Sequence, residues 1–122
     1  DRTTMETHLG SRLVKTLDLS LGGVLYGGRM LDFVAEHAAI HAMKCTGEPH
    51  MVGYRFGEIV LSRPVRAGEI IDFSGGESRF GRSSVTFELT GRVGNEVAVR
   101  AECTFVAVDE HGCKKLLERV EK

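Results

Sequence analysis

The hydrophobic pattern of this chain changes period twice, and the changes mark out its elements. Positions 12–19 alternate in part, with Leu13, Lys15, Leu17 and Leu19 on one side, which predicts a first strand. Two glycine pairs, Gly22-Gly23 and Gly27-Gly28, then bracket the strand-favouring Val24, Leu25 and Tyr26. Such spacing permits sharp turns or a close backbone approach to a ligand. Over positions 29–44 the period becomes helical. Met30, Leu31, Phe33, Val34, Ala35, Ala38, Ala39, Ile40, Ala42 and Met43 together cover most of the helix circumference. A helix apolar nearly all round predicts burial on every side. Thr46-Gly47-Glu48-Pro49 ends it, with glycine at the terminus and proline beyond.

Everything after Pro49 reads as sheet. Positions 51–61 form a long run containing Val52, Tyr54, Phe56, Ile59 and Val60, and a connector at 63–69 leads to a strand at 70–73. Gly75-Gly76 predicts a bend or bulge. Val85, Phe87, Leu89 and Val93 alternate with Ser84, Thr86, Glu88, Thr90 and Arg92. After the Gly94-Asn95 turn, Val97, Val99, Ala101, Cys103, Phe105 and Ala107 continue the alternation. Long strands joined by short turns predict an antiparallel meander with one wet face. The sheet must bury its apolar face, and the early helix is the large apolar partner on offer. The expectation is α+β: a long central helix wrapped by a roughly five-stranded antiparallel sheet. A polar tail at 114–122 would fray or form one helical turn.

Composition narrows the function classes. The chain has 122 residues, 42% hydrophobic and 27% charged, which suits one globular domain spanning 1–122 with its core at about 11–109. The formal charge is -1 and no basic stripe stands ready to displace counterions, so nucleic acid is not an expected partner. Cys45, Cys103 and Cys113 are odd in number and form no C-x-x-C pair, which reads as reduced thiols in a cytoplasmic protein. The first residues carry no basic and apolar leader pattern. The apolar stretch at 30–43 is broken by Asp32, Glu36, His37 and His41, so no membrane partner is expected.

Four segments in order carry a resemblance. Tyr26-Gly27-Gly28-Arg29-Met30-Leu31 resembles the glycine-rich helix start of hotdog-fold acyl-CoA thioesterases. Arg63-Pro64-Val65-Arg66-Ala67-Gly68-Glu69 resembles their sheet connector, and Gly81-Arg82-Ser83-Ser84 their central-strand opening. Phe105-Val106-Ala107-Val108-Asp109-Glu110-His111-Gly112 is similar to the closing strand and turn of the acyl-CoA hydrolase branch. The match runs from about residue 12 to residue 115. It implies the hotdog fold, an acyl-CoA substrate with coenzyme A as part of it and no separate cofactor, and a homodimer or a dimer-based higher oligomer such as a trimer of dimers. Two departures matter. Gly22 stands where an asparagine commonly precedes the helix start, and the hydrolases' helix carboxylate falls on Ala35. The aminoacyl-CoA ammonia lyases resemble this chain at Arg29-Met30-Leu31 and carry their acidic residue one place later, on Glu36.

Hydrolysis of a thioester needs a polarised carbonyl and an activated water or a carboxylate nucleophile. Unpaired N–H groups of Gly27, Gly28 and Arg29 at the helix N-terminus suit an oxyanion, against the plainer reading of a tight turn. Glu36, flanked by Val34, Ala35, Ala38 and Ala39, is expected to be desolvated and therefore raised in pKa. Asp32, one turn earlier on the same face, is the rival carboxylate. His37 and His41 have the spacing of two ligands on one helix face, with Glu36 or His50 as a third. They read instead as hydrogen-bonded histidines at a subunit contact, with no metal. Arg82, Ser83 and Ser84 are the candidate coenzyme A contacts, with Arg66 and Arg79 as rivals for a phosphate, and Ser83 or Thr86 as groups orienting the water from the partner subunit. The function read from these residues is acyl-CoA hydrolysis. The alternatives are a β-aminoacyl-CoA ammonia lyase or hydratase, and a non-catalytic acyl-CoA-binding domain.

Overall fold

The computed structural model describes residues 6–118. Strand β1 (Thr7–Leu13) is followed by a 3-10 turn (Thr16–Asp18), helix α1 (Gly27–Thr46) and strands β2 (Met51–Leu61), β3 (Ile70–Gly75), β4 (Arg79–Phe80), β5 (Ser84–Val93) and β6 (Glu96–Ala107). The strands form one antiparallel sheet in the order β1-β3-β5-β6-β2, with the short β4 pairing to β5. This is the α+β arrangement expected from the pattern, with a sixth short strand added.

The sheet curls over one side of α1. Met30, Phe33, Val34, His37, Ala38, His41 and Ala42, spaced three and four apart, form the covered stripe. Phe33, Phe73, Phe87, Ile71 and Leu89 are at most 1% exposed and fill the space between helix and sheet. Each such side chain contributes about 1.5–3 kcal/mol by leaving water. Gly47 closes the helix in the left-handed region at φ 74°, donating its N–H to the Met43 carbonyl.

Two expectations are corrected. First, α1 is covered on one face only: Leu31 and Met43 are each 43% exposed, and Asp32, Ala35 and Glu36 beside them are also exposed. One sheet can cover one side of a helix, so an apolar circumference does not bring in a second layer. Second, the strand read at 12–19 lies at Thr7–Leu13, and Leu17, at 93% exposure, points into solvent from the 3-10 turn. The buried residue of that turn is Asp18. The alternating leucines carried no periodic burial; a buried ion pair, described below, fixes this segment.

Candidate active site

The start of α1 is held by charge. Asp18, only 3% exposed, accepts from Arg29 Nε at 2.8 Å and from the Lys15 backbone N–H at 2.8 Å. The Arg29 hydrogen bond, then that N–H, holds the Asp18 carboxyl below the usual aspartate range, and Asp18 in turn raises Arg29. Burying one charge is tolerable when its partner is so well aligned. Arg29 also reaches Asp32 Oδ2 at 3.3 Å, and its guanidinium lies 4.9 Å from the Phe33 ring centroid. Arg12, from β1, covers the same ring at 4.4 Å and donates to Glu36 Oε1 at 2.7 Å.

These contacts correct the expected state of Glu36. Its side chain is 53% exposed and ion-paired with Arg12, and Asp32 is 70% exposed. In the single chain neither carboxylate is desolvated. The apolar flanks misled because Val34 and Ala38 belong to the covered stripe, while Glu36 turns outward beside the exposed Ala35. What the structure brings together on that face is Asp32, Glu36, two arginines and the helix start.

At that start, Tyr26 is the N-cap and supplies no side-chain cap. Its carbonyl accepts from the N–H groups of Arg29 and Met30 at 2.9 and 3.0 Å. Arg29 is thus not one of the spare donors. Among the described residues the Gly27 and Gly28 N–H groups donate to no backbone carbonyl, and they remain as the donors of the positive helix end. A Cβ at Gly28 would lie 2.7 Å from the ring of Tyr26, a side chain 60% exposed and free to swing aside; at Gly27 the nearest atom would be Leu61 Cδ1 at an ordinary 3.7 Å.

The histidines are not at the surface. His37 is 4% exposed, stacks on Phe73 with centroids 4.4 Å apart, and its Nδ1 lies 2.7 Å from the Phe33 carbonyl. His41 is 3% exposed, meets Phe87 edge-on and reaches the Gly76 carbonyl through Nε2 at 3.0 Å. Both are hydrogen-bonded, as expected, but under the sheet rather than at an outer contact. Glu36 faces the other way, and no cluster of three metal-ligating side chains forms among the described residues.

Arg82, Ser83 and Ser84 are brought together, far along the chain from the helix start, in a cleft of about 480 Å³ that they share with Lys114 and Leu116. Of the rivals, Arg79 is taken by Glu102 at 2.8 Å, while the Arg66 N–H donates to Glu69 at 2.8 Å and its side chain is outside the cleft. The Thr86 hydroxyl pairs with that of Thr104 at 2.9 Å on the sheet face turned away from the helix. Sequence reasoning missed Arg12, Asp18 and Lys114. Asp18 carried one readable signal: an acid between leucines, followed eleven positions later by Arg29 at a helix start.

No protein-family model and no curated protein sequence matches the chain. Solved structures do. A hexameric thioesterase from Yersinia pestis superposes with a TM-score of 0.87 at 22% identity, over 93% of this chain and 97% of that one. A hexameric hotdog-fold thioesterase of Campylobacter jejuni gives 0.80 at 21%, over 91% and 90%. The Staphylococcus aureus acyl-CoA hydrolase, solved with butyryl coenzyme A, coenzyme A and coenzyme A disulfide, gives 0.80 at 26%, over 93% and 69%. This chain therefore has the hotdog fold. Of these three solved chains two are described as thioesterases and the third, solved with butyryl coenzyme A, as an acyl-CoA hydrolase.

Proposed function

We propose that this chain is an acyl-CoA thioesterase, hydrolysing an acyl-CoA to the free acid and coenzyme A. One observation supports it above the others. In a fold shared with a solved acyl-CoA hydrolase, α1 carries both two amide donors free of backbone partners among the described residues, Gly27 and Gly28, and a carboxylate, Glu36, that an arginine holds in place. Water is the second substrate, and coenzyme A enters only as part of the first. Glu36 takes a proton from water as the oxygen attacks the thioester carbon. The carbonyl oxygen gains negative charge, which the Gly27 and Gly28 N–H groups and the helix dipole stabilise. The carbon–sulfur bond then breaks, and the proton leaves with the coenzyme A thiol. Asp32, paired with Arg29, tunes the local charge.

The spacing of these groups bears on assembly. Eight residues separate Gly28 from Glu36, about 12 Å along the axis at 1.5 Å per residue. One thioester carbonyl cannot touch both on the same helix, so the donors and the carboxylate at each site come from two chains. Strand β2 is one of the sheet's two edge strands, with Val52, Tyr54 and Phe56 exposed along it. Pairing two such edges would close a long apolar edge strand and set two helices side by side. We infer a homodimer as the catalytic unit, and a trimer of dimers in keeping with the hexameric solved relatives. The reading places the enzyme in the cytoplasm, which the free thiols of Cys45, Cys103 and Cys113 favour. No helix among the described residues is long and apolar enough to cross a membrane.

The test is thiol release from acetyl- to palmitoyl-CoA by the wild type, Glu36→Ala and Asp32→Ala. The loss for Glu36→Ala should be about 100-fold or more, in line with removing a general base, and that for Asp32→Ala smaller. Absence of thiol release from every acyl-CoA would sink the proposal, and ammonia release from a β-aminoacyl-CoA would replace it with elimination.

A further inference from the structure

Helix α1 begins without a local cap. Its N-cap residue, Tyr26, offers no side-chain acceptor, and no acid lies in the first turn. The third helical residue is instead Arg29, a cation at the positive end of the helix dipole, where its charge is unfavourable. A start of this composition should fray. Yet the first turn is closed: the Tyr26 carbonyl accepts from the Arg29 and Met30 N–H groups at 2.9 and 3.0 Å.

What holds this start is Asp18, in the 3-10 turn, and it does so twice. Its backbone carbonyl accepts the Tyr26 N–H at 2.9 Å, and its carboxylate Oδ1 accepts from Arg29 Nε at 2.8 Å. The second contact turns a misplaced cation into a fastening. Asp18 is itself fixed, since Oδ2 accepts the Lys15 N–H at 2.8 Å. Just before the turn, the Val14 N–H donates to the Glu69 carbonyl at 2.9 Å; just before the helix, the Leu25 N–H donates to the Val65 carbonyl at 2.7 Å. Turn and helix start are thus tied to the same connector. Leu25 and Met30, both buried, stand one place before the cap and four after it, the positions of a hydrophobic staple. Among the described residues, none of these backbone bonds uses the N–H of Gly27 or Gly28.

A local cap would use one of them. Serine or aspartate at an N-cap accepts from the second or third helical N–H. The third, that of Arg29, is already bonded to the Tyr26 carbonyl, so a cap at position 26 would take the second, that of Gly28. The ordinary way of stopping a helix from fraying would therefore consume a donor that the reaction needs. We propose that Asp18 is a positioning residue for thioester hydrolysis: it caps α1 from a distance, so that the first turn is rigid while its leading N–H groups stay free for the substrate oxygen. This role rests on the acyl-CoA reading above. Donors fixed in advance stabilise a developing oxyanion without reorganising at the moment of reaction. Asp18 touches neither substrate nor water; it acts through Tyr26 and Arg29.

The experiment compares wild type, Asp18→Asn, Tyr26→Ser and Tyr26→Ala in the full chain, by thiol release from acyl-CoA and by amide hydrogen exchange. Asp18→Asn keeps the size and one acceptor and removes the charge. It should lower kcat about ten-fold with KM nearly constant. It should also speed exchange at the Tyr26, Arg29 and Met30 amides, while those of Ala38 and Ala42 keep their protection. Tyr26→Ser supplies the missing local cap, and Tyr26→Ala controls for loss of the ring. The serine variant should unfold no earlier than the alanine variant and exchange more slowly at Gly28, yet turn over about ten-fold more slowly. A helix start that is better held but slower is not what a merely structural role produces. An unchanged kcat in Asp18→Asn, or equal kcat in Tyr26→Ser and Tyr26→Ala, overturns the proposal; if Asp18→Asn fails to fold, the Tyr26 pair decides. Turnover that ignores all three variants leaves the thioesterase standing without this role for Asp18. A wild type that hydrolyses no acyl-CoA, with exchange at Tyr26, Arg29 and Met30 still governed by Asp18, keeps the remote cap and removes the reaction it was to serve.

Discussion

The two faces of α1 carry similar residues and meet opposite fates. Each sets a pair of ionisable side chains four apart among alanines: His37 and His41 on one, Asp32 and Glu36 on the other. On the covered face the imidazoles are stripped of water, bonded to backbone carbonyls, and packed on Phe73 and Phe87. Burial pushes His41 below the usual histidine range, so it is neutral at neutral pH. On the outward face the carboxylates keep much of their water and are countered by Arg12 and Arg29. A group that must meet a substrate belongs on the second face; a group that must fill volume without carrying charge belongs on the first. The histidines, chemically the more tempting pair, are therefore structural.

The sharpest way to break this contrast is to disturb the covered face. Gly75 of β3 lies so close to His41 that an added Cβ would sit 2.4 Å from its Cγ. Neither side can yield easily, since both Gly75 and the imidazole are buried. Gly75→Ala should lower stability by about 1–3 kcal/mol, the usual range for overpacking, as read by the urea midpoint. Gly94→Ala, in an exposed turn with no atom within 4 Å but φ +62°, is the control for backbone strain alone. A Gly75 effect no larger than the Gly94 effect would show that the histidine is not locked against the sheet.

A smaller effect separates the faces by pH. His41 Nδ1 is buried with no partner among the described residues, so a proton placed there finds no acceptor among them. The folded pKa lies below the ordinary 6.5, chiefly through desolvation, with the Gly76 carbonyl opposing and Lys44 adding a little. Below about pH 6.5 the unfolded chain therefore binds a proton that the folded chain refuses, and stability falls as pH drops, by at most about 1.4 kcal/mol per pH unit. His41→Leu should flatten that slope in acid denaturation. Asp18 acts lower and with the same sign: its depressed carboxyl stabilises the fold above the unfolded value near 3.8, and that contribution is lost as pH falls further.

How much of this was legible beforehand depended on the kind of signal. The helix over 29–44 and its Gly47 stop, the alternation of Val85 with Ser84, and the Gly94-Asn95 turn are local patterns, and the fold follows them. The clustering of Arg82, Ser83 and Ser84 was readable as well, because they are consecutive. What was not legible is side-specific. Amphipathicity cannot be read from a helix whose outward face is also apolar, so Glu36 was expected in the dry face. Arg12 and Glu36 lie 24 positions apart, and Lys115 and Glu48 lie 67 apart. Nothing in either neighbourhood announces such a partner; it is the strand order that brings them together.

The mildest test probes the outward face at Arg12. Its guanidinium makes two contacts, with Glu36 Oε1 at 2.7 Å and over the Phe33 ring at 4.4 Å. Glu36 is 53% exposed, so the pair is worth at most about 1 kcal/mol of stability. Arg12→Met keeps an apolar stem on Phe33 and removes the charge. The midpoint of unfolding should move little, whereas kcat for thiol release should fall several-fold with KM nearly constant, because a freely rotating carboxylate spends less time aimed at water. Arg12→Lys, which restores the charge without the planar fork, should recover part of kcat. A large loss of stability with kcat intact would mean that Arg12 serves the fold and leaves Glu36 to orient itself. In that case the two faces of α1 would differ in hydration alone, and not in how their charged groups are held.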